Sequence, residues 1–385
     1  MLTRLANLGI RRPKRVLAFA GLLIALAAIY GAQAASHLAS GGFYDTGASS
    51  WQARNLLATK FNSGDPNLVL EVSTAAGVDS AAARTTGLHI VDDLTNQQYV
   101  TNVTSYWTAS ATAAPGLRSK DGDAALVVAR VVGDDNTAPK RAQAVYGPLV
   151  GTHDGVTVKQ GGLVATIRTV NNLTTSDLTR SEMIAVPLTV IALIWVFGSF
   201  IAALLPLAVG LTSIIGTMAI LRLLSTMTNV SIYALNMTTA MGLALAIDYS
   251  LFAVSRYREE IRNGVDPDEA IRITMRTAGR TVLFSALTVG LSLAAMLVFP
   301  VYFLRSFAYA GIAVVALATV ATLLLLPALL KVLNTRVDAL DLRAFVRRVL
   351  RRPPPVVKPV EATFWYRFAR LVMRRAVPIG LLVTA

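Results

Sequence analysis

The chain has 385 residues, of which 54% are hydrophobic and only 15% charged, and its mean hydropathy is +0.55. So apolar a balance excludes an ordinary soluble protein and points to a polytopic membrane protein, while the lack of cysteine excludes disulfides and cysteine-based metal sites. The net charge of +14 does not signal nucleic acid, because the basic residues flank apolar runs instead of interleaving with stacking aromatics.

In chain order, Arg11, Arg12, Lys14 and Arg15 precede an apolar run, Val16–Ala35. Ala32-Gln33-Ala34 resembles a signal-peptide cleavage site, but the run is nearer a bilayer span than the ~7–15 residues of a signal peptide. Residues 1–35 are therefore expected to hold a cytoplasmic amphipathic start and an uncleaved first transmembrane helix.

Residues 36–180 are expected to form a separate domain. Period-2 stretches at Asn67–Val72, Tyr99–Tyr106, Ala124–Val132 and Thr157–Gly161 read as strands, with helical patterns at Ser80–Leu94 and Pro139–Val150. The order β-α-β-β-α-β is that of a ferredoxin-like α+β sandwich. His37, His89 and His153 have no second ligand at metal-binding spacing, and the acidic pairs read as turn and cap residues, so no metal site is expected.

Further spans follow at about Ile184–Phe197, Ile201–Leu221, Ile232–Val254, Val282–Phe299 and Phe307–Leu333, placing transmembrane helices two to six in residues 181–333. Gly198-Ser199 joins two of them so tightly that they must be antiparallel neighbours. Asp266-Pro267-Asp268-Glu269 reads as a capping box opening an amphipathic helix on the cytoplasmic face. Basic residues cluster at alternate span ends (11–15, 256–280, 336–352), which by the positive-inside rule puts the N-terminus in the cytoplasm and 36–180 outside a plasma membrane.

One span is interrupted. Asp248 and Tyr249 sit in an apolar run bounded by Arg256 and Arg258, which places Asp248 about 12 Å inside the interface. A carboxylate at that depth is costly unless it is neutral, paired or beside a water-filled path, so it reads as a functional residue; the alternative is a packing carboxyl bonded to a neighbouring helix. Ser285, Thr288 and Ser292 form a hydroxyl stripe on the next span, either for function or for bonds to their own helix carbonyls. Asp248, Tyr249 and Ser285 are the candidate proton relay.

Residues 334–375 are expected to form a cytoplasmic basic helix, with Arg343, Arg347, Arg348, Arg351 and Arg352, and a linker at Pro353-Pro354-Pro355. Arg367-Phe-Ala-Arg-Leu-Val-Met-Arg-Arg375 then repeats the pattern of Arg4-Leu-Ala-Asn-Leu-Gly-Ile-Arg-Arg12. Residues 376–385 thus read as the start of a truncated seventh helix and of a second half.

These features resemble a known family. Gly41-Gly-Phe-Tyr-Asp-Thr-Gly47, the stretch Gly242–Glu260 around Asp248-Tyr249, Thr277-Ala-Gly-Arg-Thr-Val-Leu-Phe-Ser285 and Arg336-Val-Asp-Ala-Leu340 are similar to the N-terminal half of mycobacterial membrane protein large (MMPL) transporters, within the resistance-nodulation-division superfamily. The resemblance implies proton-driven export of a lipid or other amphiphile, with Asp248 and Tyr249 in the proton relay. It also implies membrane lipids, a second half or self-association, and cell-envelope accessory proteins as partners. No Gly-x-x-x-x-Gly-Lys-Ser/Thr loop is present, so an enzyme or nucleotide-driven pump is not expected, and neither is a cofactor. The alternatives are a non-transporting scaffold half or a lipid-sensing membrane protein.

Overall fold

A computed structural model describes residues 2–61, 64–134, 136–340 and 364–376. The expected basic helix and Pro-rich linker around 343–355, and the truncated helix from 377, lie outside the described residues. The chain is a mostly helical, multi-pass membrane protein, and among the described residues six helical stretches are long and apolar enough to span a bilayer: Pro13–Gly31, Arg180–Phe197, Phe200–Ser225, Ala234–Arg262, Pro267–Val298 and Tyr302–Asp338.

After two short helices, α3 (Ala34–His37) and α4 (Ser49–Lys60), the sheet domain starts at β1 (Leu68–Ser73), whose alternate residues Leu68, Leu70 and Val72 are buried. Helix α5 (Ala81–Thr95) is capped by the Ser80 hydroxyl, which accepts the Ala83 N–H at 3.4 Å, and buries Ala83, Ile90 and Leu94. Strands β2 (Val100–Ser105) and β3 (Ala124–Val131) follow, then α6 (Ala138–Tyr146), β4 (Gly151–His153) and β5 (Val156–Gly161). All pairings are antiparallel, in the order β2-β3-β1-β5-β4. The short β4 was not anticipated; it pairs with β5 across Asp154-Gly155, both at positive φ (50° and 77°), as a two-residue hairpin of type I′ requires.

Ahead of α6, Asp134 accepts the Asn136 N–H at 3.1 Å, the Thr137 N–H at 2.7 Å and the Thr137 hydroxyl at 2.7 Å. Partial burial pushes its pKa up, but the Thr137 and Asn136 bonds together outweigh that and hold it below the ordinary 3.8. A carboxylate with a depressed folded pKa stabilises the fold above its unfolded pKa and loses that contribution as pH falls through the folded one. Asp134→Asn is therefore expected to lower the thermal midpoint at pH 7 and to narrow its gap from the native chain below about pH 3.8, as a pH series of melting curves would show.

Helix α7 (Gly162–Phe197) starts directly after β5. Gly162 makes the turn at φ 85°, where a Cβ would lie 2.6 Å from the Asn67 carbonyl oxygen. The helix then runs 36 residues without a break, through the expected domain edge at 180 and across the membrane, with Pro187 inside it.

The bundle contains α2 (Pro13–Gly31), α7, α8 (Phe200–Ser225), α9 (Ala234–Arg262), α10 (Pro267–Ala294) and α11 (Tyr302–Val320). Helix α8 packs between α2 and α9, and α9 also packs against α10 and α11. Exposed Leu22, Leu26 and Ile29 on α2, and Met183, Leu188 and Ile191 on α7, face outward, as apolar side chains do where hydrocarbon is the solvent. After α11 the backbone widens into a π turn at Ala321–Leu325 before α12 (Leu326–Leu333), which has Pro327 in its first turn. The expected separate amphipathic helix after Asp266 is instead the first part of one continuous α10. Its apolar residues Ala270, Ile271 and Met275 are buried in the bundle core, so nothing interrupts it before the span.

Side chains tie both ends of the bundle. At one end the Arg258 guanidinium donates to the Phe197 carbonyl at 2.8 Å and pairs with Asp338, while the Ser199 hydroxyl donates to the carbonyls of Val337 (2.9 Å) and Ala339 (2.8 Å). The N-terminal helix α1 (Leu2–Arg11) lies against α10 and α12, burying Ala6 and Ile10, with Arg272 bonded to Asn7 at 3.0 Å. Lys331 of α12 pairs with Asp268 of α10 at 2.5 Å. At the other end, the segment after α2 pairs with the start of α9 (Ala39 N–H to the Val230 carbonyl, 2.7 Å) and reaches the sheet domain through Ser40 N–H to Asn136 (2.6 Å).

Candidate functional site

Asp248 occupies the middle of α9, on the side turned away from the rest of the bundle. Ala240, Ala244, Asp248, Phe252 and Ser255 are all exposed, and their spacing of three to four puts them on one stripe of the helix. The stripe opens with two alanines, so its upper part is smooth enough for another helix to approach closely, and the carboxyl lies at its centre. The opposite face of α9 is packed closely. Gly242 is the residue that permits it: a Cβ there would lie 2.6 Å from Ile214 of α8 and 3.1 Å from Val314 of α11.

Tyr249 turns the other way and is 5% exposed, its ring held by Val282 and Ala286 of α10 and by Val314, Val315 and Ala318 of α11. Its hydroxyl has no hydrogen-bond partner within ordinary distance, although Ser285 of α10 is close enough to perturb it. Ser285 on α10 is exposed, as Asp248 is on α9, while Tyr249 is buried where α9 meets α10 and α11. Of the other hydroxyls on the Ser285 stripe, Thr288 bonds its own helix at the Phe284 carbonyl (3.0 Å), the structural alternative weighed from the sequence.

Three buried hydroxyls escaped the sequence reading. Thr217 on α8, Ser250 on α9 and Thr322 in the π turn are fully buried and without hydrogen-bond partners, on elements that pack against one another. Tyr257 on α9 and Thr274 on α10 are buried without partners as well, as is Ser231 just before α9, whereas Ser213 bonds Val209 (3.1 Å), Thr238 bonds Ala234 (2.9 Å) and Thr319 bonds Val315 (2.7 Å). The available signal was the position of Ser250 immediately after Asp248-Tyr249. Thr322, alone in a run of leucines, offered a weaker one.

The model of the MMPL family matches residues 43–379. This chain belongs to the MMPL family. Among curated MMPL proteins it is 34% identical to the trehalose monomycolate exporter MmpL3 of Mycobacterium tuberculosis, over 93% of this chain and 40% of that protein. A putative membrane protein of Streptomyces coelicolor, SCO6666, is 34% identical over 98% of this chain and 51% of its own length. The heme uptake protein MmpL11 of M. tuberculosis is 36% identical, but over 52% of this chain and 20% of its own length. The chain thus spans about two fifths to half the length of the MMPL relatives that match most of it.

Proposed function

We propose that the chain is the N-terminal half of a transporter, not an enzyme, that uses the proton-motive force to export a lipid or similar amphiphile across the plasma membrane. The observation that carries this reading is Asp248, a carboxyl at the midpoint of a 29-residue membrane helix, on an exposed stripe of that helix and next in sequence to buried Tyr249. An intramembrane acid of this kind serves as a proton carrier when a partner surface and water give it a path. The lipid class is favoured because the likeness to the lipid exporter MmpL3 covers 93% of the chain, whereas that to the heme uptake protein covers 52%. In this reading the sheet domain is a ferredoxin-like unit: leaving aside the short β4, its strands lie in the order β2-β3-β1-β5 with both helices crossing over.

Proton flux into proteoliposomes, dependent on added lipid substrate and on the completed transporter, tests the coupling. A lipid flux that ignores the pH gradient would overturn it.

In this reading the Arg258 end lies in the cytoplasm and the sheet domain outside, which the basic residues clustered at the Arg258 end support. Because the chain has no cysteine, single cysteines at exposed Lys120 and Asn263 report this directly. Lys120→Cys is expected to react with an impermeant thiol reagent on intact cells and Asn263→Cys only after permeabilisation; the reverse pattern would invert the topology and remove the export direction.

A further inference from the structure

Where the sheet domain meets the bundle, a polar cleft of about 260 Å³ lies between the segment after α2 and the starts of α6, α7 and α9. It is lined by Ser36, Ser40, Asn136, Lys140, Arg168 and Asn172, and no carboxylate is among its described lining residues. Neither Lys140 nor Arg168 has an ion-pair partner among the described residues, whereas Arg118, Lys159, Arg256, Arg272 and Lys331 each do. Two unneutralised cations amid amides and hydroxyls make a site for an anion with several acceptor oxygens.

The cleft continues into a second space. A narrower slot of about 60 Å³ shares Ala35, Asn171 and Ile232 with it and extends along Thr174, Tyr233, Leu235 and Asn236, with walls almost wholly apolar. The location is the membrane rim: Ala35 lies just past the end of the first span at Gly31, and Ile232 just before the α9 span begins at Ala234. A cationic polar cleft opening on an apolar slot at that level has the polarity profile of an amphiphile standing in the bilayer. The cleft is smaller than the ~300–1,000 Å³ that encloses a whole drug-sized ligand, so it suits a headgroup while the tails stay among the helices. Asp248 lines neither space and lies about 18 Å along α9 from Asn236.

We propose that this cleft binds the phosphate of an anionic membrane phospholipid, with Lys140 and Arg168 on the phosphate and the start of one acyl chain in the slot. The assignment goes beyond proton-coupled export and holds whichever leaflet this rim faces. Its wall includes the hydrogen bond from the Tyr233 hydroxyl to Asn171 (2.8 Å), which joins α7 to the start of α9. A lipid seated there touches both helices at their junction.

The test is native mass spectrometry of the full chain released from micelles doped with phosphatidylglycerol or phosphatidylcholine. Retained phosphatidylglycerol is expected to fall about tenfold in K140Q/R168Q and to stay unchanged in K159Q, which removes a β5 cation paired with Glu71 of β1. An equal fall in K159Q, no fall in the double variant, or equal retention of phosphatidylcholine would overturn the proposal. So would full competition by soluble glycerol phosphate, which would assign the cleft to a soluble phosphate ester. Should the double variant misfold, phosphatidylglycerol with a photoreactive group near the top of its acyl chain decides on the native chain. Crosslinks confined to peptides holding Asn171–Thr174 and Ile232–Asn236 support the site, and crosslinks elsewhere refute it.

Discussion

Asp248→Asn, introduced into the complete transporting assembly, is expected to lower proton-coupled export at least about 100-fold, the loss typical when a positioned proton carrier is removed. Asparagine keeps the size and the hydrogen-bonding shape of the carboxyl but cannot exchange a proton. Asp248 is exposed and makes no side-chain hydrogen bond or ion pair among the described residues, so insertion and thermal stability should stay within a few tenths of a kcal/mol of the native chain. That separation makes the result diagnostic, because a structural carboxyl would lose stability and transport together. Asp248→Glu should retain part of the flux. Normal lipid export by the Asn variant would exclude Asp248 as the coupling acid.

The second large effect concerns the 385-residue chain reconstituted by itself, which is expected to show no proton-driven lipid movement as a monomer. Its open stripe of Ala240, Ala244, Asp248, Phe252 and Ser255 would then lie against lipid tails. A carboxyl facing hydrocarbon has neither water nor a partner group with which to exchange a proton, so it carries none across. Internally repeated transporters place their coupling site between repeats, so covering the stripe with a second half, in cis or as another chain, should restore flux. Activity confined to a dimer would mean that two copies cover each other's stripe. Full activity from a demonstrated monomer would refute the need for a covering surface.

The spans were legible because runs of apolar residues near bilayer length admit few other readings, and the first strand because Leu70 and Val72 alternate with Glu71 and Ser73. The continuity of α7 was hidden by its composition. Residues 171–182, Asn-Asn-Leu-Thr-Thr-Ser-Asp-Leu-Thr-Arg-Ser-Glu, are so polar that they read as domain surface, yet Asn171 already bonds Tyr233 at the start of α9. The β4 hairpin is marked in the sequence by the turn pair Asp154-Gly155, but the strand before it has three residues, too few for an alternating pattern to stand out. At the candidate site the sequence supplied Asp248, Tyr249 and Ser285 by depth and spacing. It could not show that Asp248 and Tyr249 point to opposite sides of α9's packing, because that depends on which face of the helix its neighbours cover.

Helix α7 is also a lever. Its 36 residues make a rod about 54 Å long, with its first turn fixed to the sheet domain and its last residue, Phe197, held by Arg258. A tilt of roughly 5° about one end moves the other by about 5 Å over that length. Pro187 removes one backbone hydrogen bond ten residues before the far end and supplies a fulcrum there. One continuous helix thus joins the sheet domain to Arg258, at the foot of α9, the helix that carries Asp248.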